Sequence, residues 1–130
     1  MKIDIGKQVS YWLNGGNEDL EVSKILIQKR RYFHGLFFCH LVLEKALKAH
    51  VVIHTKELAP KSHNLIYLSE KSGLEFLDGQ LEFFGVLMKY QLEGRYPEYQ
   101  PLIPKMGTVD KYLLQTEEQL KWLKEKLSNY

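Results

Sequence analysis

Apolar residues at Ile5, Val9, Trp12, Leu20 and Ile27 recur in helical steps, with small Gly16 and Ser23 filling the gaps in the stripe. Asn14-Gly15-Gly16 interrupts the middle of this segment. A glycine in a helix interior costs up to about 1 kcal/mol, so the chain could break here with Asn17 as a new cap. The stripe stays in phase across the glycines, however, and small residues permit close packing. A continuous first helix is the expectation.

From about Tyr32 to His54 the pattern changes. Leu36, Phe37, Phe38, Leu41, Val42, Leu43, Ala46, Leu47, Val51, Val52 and Ile53 cover most of a helix circumference. A helix apolar on nearly all sides belongs in the middle of a bundle. Leu58-Ala59-Pro60-Lys61 ends it, because proline cannot continue a helix. Ser62 then reads as the N-cap of a short helix through Leu65 and Leu68, closed by Gly73. Asp78 can cap a fourth helix carrying Leu77, Leu81, Phe84, Met88 and Leu92, with Gly94 as its stop. Arg95-Tyr96-Pro97-Glu98-Tyr99-Gln100-Pro101 follows as a stiff loop. Thr108 caps the last helix, where Val109, Leu113, Thr116, Leu120, Leu123 and Leu127 alternate steps of four and three. No strand alternation, repeat or dividing linker interrupts the series. The expected fold is all-α: an up-and-down bundle of four long helices plus one short helix, with residues 1–130 forming a single domain.

Composition narrows the class. At 130 residues, 45% hydrophobic and 26% charged, the chain is ordinary for a globular domain with a real core. A net charge of +2 is too mild to announce nucleic-acid binding by itself. The lone Cys39 excludes an internal disulfide; lying among Leu36, Phe37 and Phe38, it reads as a small buried hydrophobe in a reducing compartment. Neither a signal peptide nor a run of roughly 20 apolar residues is present. Cytoplasmic localisation without membrane association is the expectation.

His40, Glu44 and Lys48 stand at i, i+4 and i+8, one polar ridge on an otherwise apolar rod, with Lys45 flanking it. The plain reading pairs Glu44 with Lys48 and lets the long stems reach solvent. The alternative is a basic shelf for phosphate. His50 and His54 have a spacing that can chelate zinc, but no acidic partner lies between them, and no metal or other cofactor is expected. His63, at a helix start, can hydrogen-bond nearby backbone or serve a ligand. Arg95 with Tyr96 and Tyr99 can clamp a phosphate and stack a base, or dock the loop on its own bundle.

Four segments together resemble the HEPN family of small helical bundles. Trp12-Leu13 followed by Glu18-Asp19-Leu20 is similar to the family's first helix, and the run from Phe37 to Ala49, centred on Glu44-Lys45-Ala46-Leu47-Lys48-Ala49, to its signature second helix. Ser62-His63-Asn64-Leu65 resembles the turn that follows, and Arg95-Tyr96-Pro97 the segment near the end of the fourth helix. The resemblance implies a helical bundle, usually a homodimer, that handles nucleotides or RNA and in many relatives works with a nucleotidyltransferase partner. Its ribonuclease members depend on an arginine and a histidine separated by four to six residues. That motif is absent: Arg30 and His34 have only three residues between them, and neither Arg31 nor Arg95 has a histidine in range. The glutamine-rich stretch usual before the signature is here His40-Leu41-Val42-Leu43.

The resulting expectation is a non-catalytic module that binds a nucleotide or RNA-related phosphate. Lys45, Lys48 and Arg95 would supply charge, His63 a hydrogen bond, and Tyr96 or Tyr99 a stacking face. Two alternatives stand beside it: a metal-independent ribonuclease toxin of a toxin–antitoxin pair, using an arginine and histidine brought together in space, and a dimeric scaffold without ligand.

Overall fold

The computed structural model describes residues 2–91 and 102–127. Five helices follow one another: α1 Ile5–Gln28, α2 Tyr32–Thr55, α3 Leu65–Lys71, α4 Asp78–Met88 and α5 Met106–Leu127. Among the described residues there is no strand, and the bundle expected from the apolar periodicity is the one formed.

The first helix is unbroken through Asn14-Gly15-Gly16. Its reason is visible at Gly16, which is buried against α2: a Cβ there would stand 3.3 Å from the Val42 carbonyl oxygen. Glycine thus lets α1 and α2 approach more closely than larger residues allow, and that packing offsets its poor helix propensity. Asp4 caps α1 by accepting from the Lys7 N–H at 3.0 Å. At the other end the Arg31 N–H donates to the Leu26 carbonyl at 2.8 Å and the Arg30 N–H to that of Ile27 at 3.0 Å. This is a Schellman closure, and it holds Arg30 at φ 62. Glycine takes that left-handed conformation freely, whereas a side chain costs about 1 kcal/mol.

The chain returns at once as α2, which packs against each of the other four helices. Leu36, Cys39, Val42, Leu43, Ala46, Leu47 and Val52 are fully buried, while Phe37, Phe38, Leu41 and Ile53 are partly exposed, so most of the apolar circumference, not all of it, is covered. Phe84 and Leu87 of α4, Leu65 and Leu68 of α3, and Val109, Leu120 and Leu123 of α5 complete the core. Burying side chains of this size stabilises the fold by roughly 1.5–3 kcal/mol each.

Several helix ends differ from expectation. Asn64, not Ser62, caps α3: its Oδ1 accepts from the Tyr67 N–H at 3.0 Å, while Ser62 Oγ accepts from the Asn64 N–H at 3.1 Å. Gly73 follows the helix at φ 75, and a Cβ there would collide with the His54 imidazole. Asp78 is the first residue of α4, not its cap; Gln80 Oε1 instead accepts from the Leu77 N–H at 2.8 Å. The described α4 ends at Met88, and Leu92 and Gly94 lie outside the described residues. Thr108 lies inside the first turn of α5, whose opening bonds run from the Thr108 and Val109 N–H groups to the Lys105 carbonyl, both at 3.0 Å. Among the described residues no helix is long and apolar enough to cross a membrane.

Candidate functional site

The polar ridge of α2 is buried. His40 is fully enclosed, and Glu44 and Lys48 are only 3% and 5% exposed. The expected Glu44–Lys48 pair forms, with Lys48 Nζ donating to Glu44 Oε2 at 3.1 Å. Lys48 does not run to solvent, however. Its ammonium lies 5.0 Å from the centre of the Trp12 ring on α1, which closes over it. A buried charge needs such compensation, because desolvation costs several kcal/mol per ion.

Glu44 is the hub of the cluster. Its other oxygen, Oε1, lies 2.9 Å from His63 Nδ1 and 3.7 Å from His40 Nδ1. His40 in turn reaches the His63 backbone: its Nε2 is 2.9 Å from the His63 carbonyl. A carbonyl can only accept, so His40 Nε2 carries the proton. The segment before α3 is thus fastened to α2 twice, once through the His63 main chain and once through its side chain. The outcome is an imidazole with one nitrogen fixed on a buried carboxylate and a side chain still 40% exposed. His63, Asn64, Met88 and Gln91 border an open depression of about 230 Å³. A carboxylate-held histidine of this kind can hydrogen-bond a phosphate oxygen or move a proton.

Lys45 belongs to a different neighbourhood. Its Nζ is 2.7 Å from Asp19 Oδ2 of α1, and its stem crosses Gly15, where a Cβ would stand 3.0 Å from Lys45 Cδ. With Tyr11, Asn14, Gly15 and Glu18 it lines a cavity of about 280 Å³. Lys45 and Lys48 therefore face different partners and share no anion. Asp19 and Trp12 are the contributors that residue spacing did not single out. Asp19 falls on the buried stripe of α1 with Gly16, Ser23 and Ile27; a carboxylate in that position signals a cation opposite, here the partly exposed Lys45.

The remaining candidates separate. His50 is buried, and its Nε2 lies 2.8 Å from the Leu123 carbonyl of α5, while His54 is exposed beside Gly73. Desolvation holds the His50 imidazole below its usual value. Cys39 faces the core, where burial pushes the thiol up to about 11, the Thr116 and Ser23 hydroxyls offsetting only part of the effect. It is no nucleophile at neutral pH. Among the described residues no group of three or more metal-ligating side chains converges. Arg95, Tyr96 and Tyr99 lie outside the described residues.

Comparison with known proteins agrees with this architecture. Residues 9–127 match the HEPN domain. No match was found among curated proteins. The crystal structure of TT1696 from Thermus thermophilus is similar, with a TM-score of 0.76 at 20% identity over 92% of this chain and 98% of that one. At that identity the likeness concerns the fold. The domain match spans nearly all of the bundle, from the first helix through α5, and on it the chain belongs to the HEPN family.

Proposed function

We propose that this HEPN domain binds a nucleotide or RNA-related phosphate where His63 emerges from the bundle, without itself cleaving RNA. The observation that carries this reading is the 2.9 Å contact between buried Glu44 and half-exposed His63 at the edge of a depression. A preorganised imidazole loses little entropy on meeting a ligand. Lys48 holds Glu44 in place and neutralises it, while Lys45, paired with Asp19 on a separate cavity, stands apart from this depression. Arg95 follows four residues after Gln91, which borders the same depression; it would supply the bidentate phosphate grip, with Tyr96 or Tyr99 stacking on a base. The absence of the arginine–histidine ribonuclease spacing supports a non-catalytic role. The domain would act in the cytoplasm as a homodimer, alongside a nucleotidyltransferase partner.

One observation favours a second reading. A histidine oriented by a carboxylate is also a general acid–base arrangement, as a ribonuclease toxin would use. Calorimetric titration of ATP and short RNA separates the two. Wild type should bind, and His63→Ala and Arg95→Ala should each weaken binding about tenfold, the loss of one charge-assisted contact. Failure of wild type to bind either ligand at millimolar concentration overturns the proposal. Chelator-insensitive RNA cleavage that His63→Ala abolishes would establish the ribonuclease instead.

A further inference from the structure

The turn between α1 and α2 carries three consecutive cations, Lys29, Arg30 and Arg31, all exposed, with exposed His34 in the first turn of α2. Among the described residues none of the three makes an ion pair. Lys24, just before them, shows the contrast: it is answered by Glu21 at 3.5 Å and Glu117 at 3.7 Å.

Local energetics account for only part of this run of charge. Lys29 and Arg30 sit at the negative end of the α1 dipole, which favours cations. Arg31 sits at the positive end of α2, which disfavours a cation, and it adjoins two like charges. Arg30 occupies the left-handed closing position where glycine fits without strain. At Arg30 and Arg31 the chain thus places a cation where folding alone favours another residue, and Lys29 extends the charged run.

The turn also adjoins the segment that leads to the His63 surface. Phe33 meets Tyr90 edge to face at 6.0 Å, so the end of α4 lies against the first turn of α2. The next residue, Gln91, borders the depression beside His63. From Arg31 to Glu44, which holds His63, α2 advances about 20 Å at ~1.5 Å per residue.

We propose that Lys29, Arg30, Arg31 and His34 form a backbone-binding site for single-stranded RNA, whose strand runs on toward His63. At a rise of ~3.4 Å per nucleotide, the separation fits about six stacked nucleotides. Tyr32 and Phe33 beside the cations pack against the core, Phe33 on Tyr90, so the site grips backbone phosphates and leaves the bases unstacked by protein rings. An anionic bilayer is a poorer match, because Gln28, Lys29, Arg30, Arg31 and His34, the exposed residues of the turn, include no apolar side chain to insert. The strand length rests on the phosphate-binding role of the His63 surface; the turn site itself does not.

The test is fluorescence anisotropy of labelled oligoribonucleotides from two to twelve residues, across a salt series, with AMP titrated in parallel. Affinity should climb with length to about six nucleotides. Arg30→Gly should melt higher than wild type yet bind the longer oligomers several-fold more weakly, its salt slope reduced by about one unit. Arg31→Ala should weaken them similarly, and neither variant should alter AMP binding. Oligomers bound no more tightly than AMP would overturn the inference, as would turn variants with unchanged affinity and salt slope. Tight binding of phosphatidylserine vesicles with none of RNA would overturn it too. Loss of AMP binding in His63→Ala while the turn variants change nothing would leave the His63 reading standing and remove this one. Length-dependent binding that the turn variants weaken and His63→Ala spares would do the reverse.

Discussion

Glu44 answers both Lys48 and His63 from inside the bundle, so its charge cannot be removed alone without leaving Lys48 buried and unpaired. Glu44→Gln should cost about 3–5 kcal/mol, read from guanidinium denaturation. Adding Lys48→Met in the same chain should recover part of it; a double variant less stable than the single would mean the pair is not the source. His50 gives a pH signature. Its folded form is held neutral by burial, below the ordinary 6.5. The unfolded chain therefore takes up the proton first. Stability from this group is complete above about pH 6.5 and is lost as pH falls through that value toward the lowered folded pKa. Equilibrium unfolding of His50→Gln should show a flatter slope than wild type between pH 6.5 and 5. At this scale the spacing of His40, Glu44 and Lys48 was legible in sequence, because i+4 steps fix a common helix face. Their depth was not: it is set by Trp12 and by the segment at His63, which arrive from elsewhere in the chain.

Helices, once formed, constrain substitution in ways that depend on their neighbours. Gly16→Ala gains up to about 1 kcal/mol of helix propensity but presses a methyl against the Val42 carbonyl at 3.3 Å, and overpacking of about 1–3 kcal/mol should win. Gly85 of α4 has nothing within 4 Å, so Gly85→Ala should stabilise by up to about 1 kcal/mol. Thermal melts of the two variants should move in opposite directions; parallel shifts would show that α1–α2 contact does not limit position 16. Helix identities were legible because apolar periodicity survives single exceptions. Their ends were less so. Ser62 and Asn64 are both able to cap, and only the observed bonds choose between them. The α5 start relies on the Lys105 carbonyl, which leaves no side-chain signal.

At the scale of the molecule, one helix touches all the others, and large apolar side chains remain outside, among them Tyr11, Ile25 and Leu114, each more than half exposed. Light scattering should return about twice 15.3 kDa, the mass of a dimer; a monomer mass across micromolar concentrations would contradict this. The bundle class was legible because a helix apolar all round admits no other position. Which helices flank the His63 depression was not, since α4 and the residues before α3 meet there only through the tertiary fold. The short turn between α1 and α2 has a temporal consequence. Only Lys29, Arg30 and Arg31 separate these two helices, so their pairing closes a small loop. The contact of His50 with the Leu123 carbonyl spans 73 residues. Local contacts form first when loop closure limits the rate. In stopped-flow experiments Ala46→Gly should therefore mainly slow refolding, whereas Leu123→Ala should mainly speed unfolding. If both variants changed the same rate, α5 would already be docked at the barrier, and the hairpin would hold no precedence.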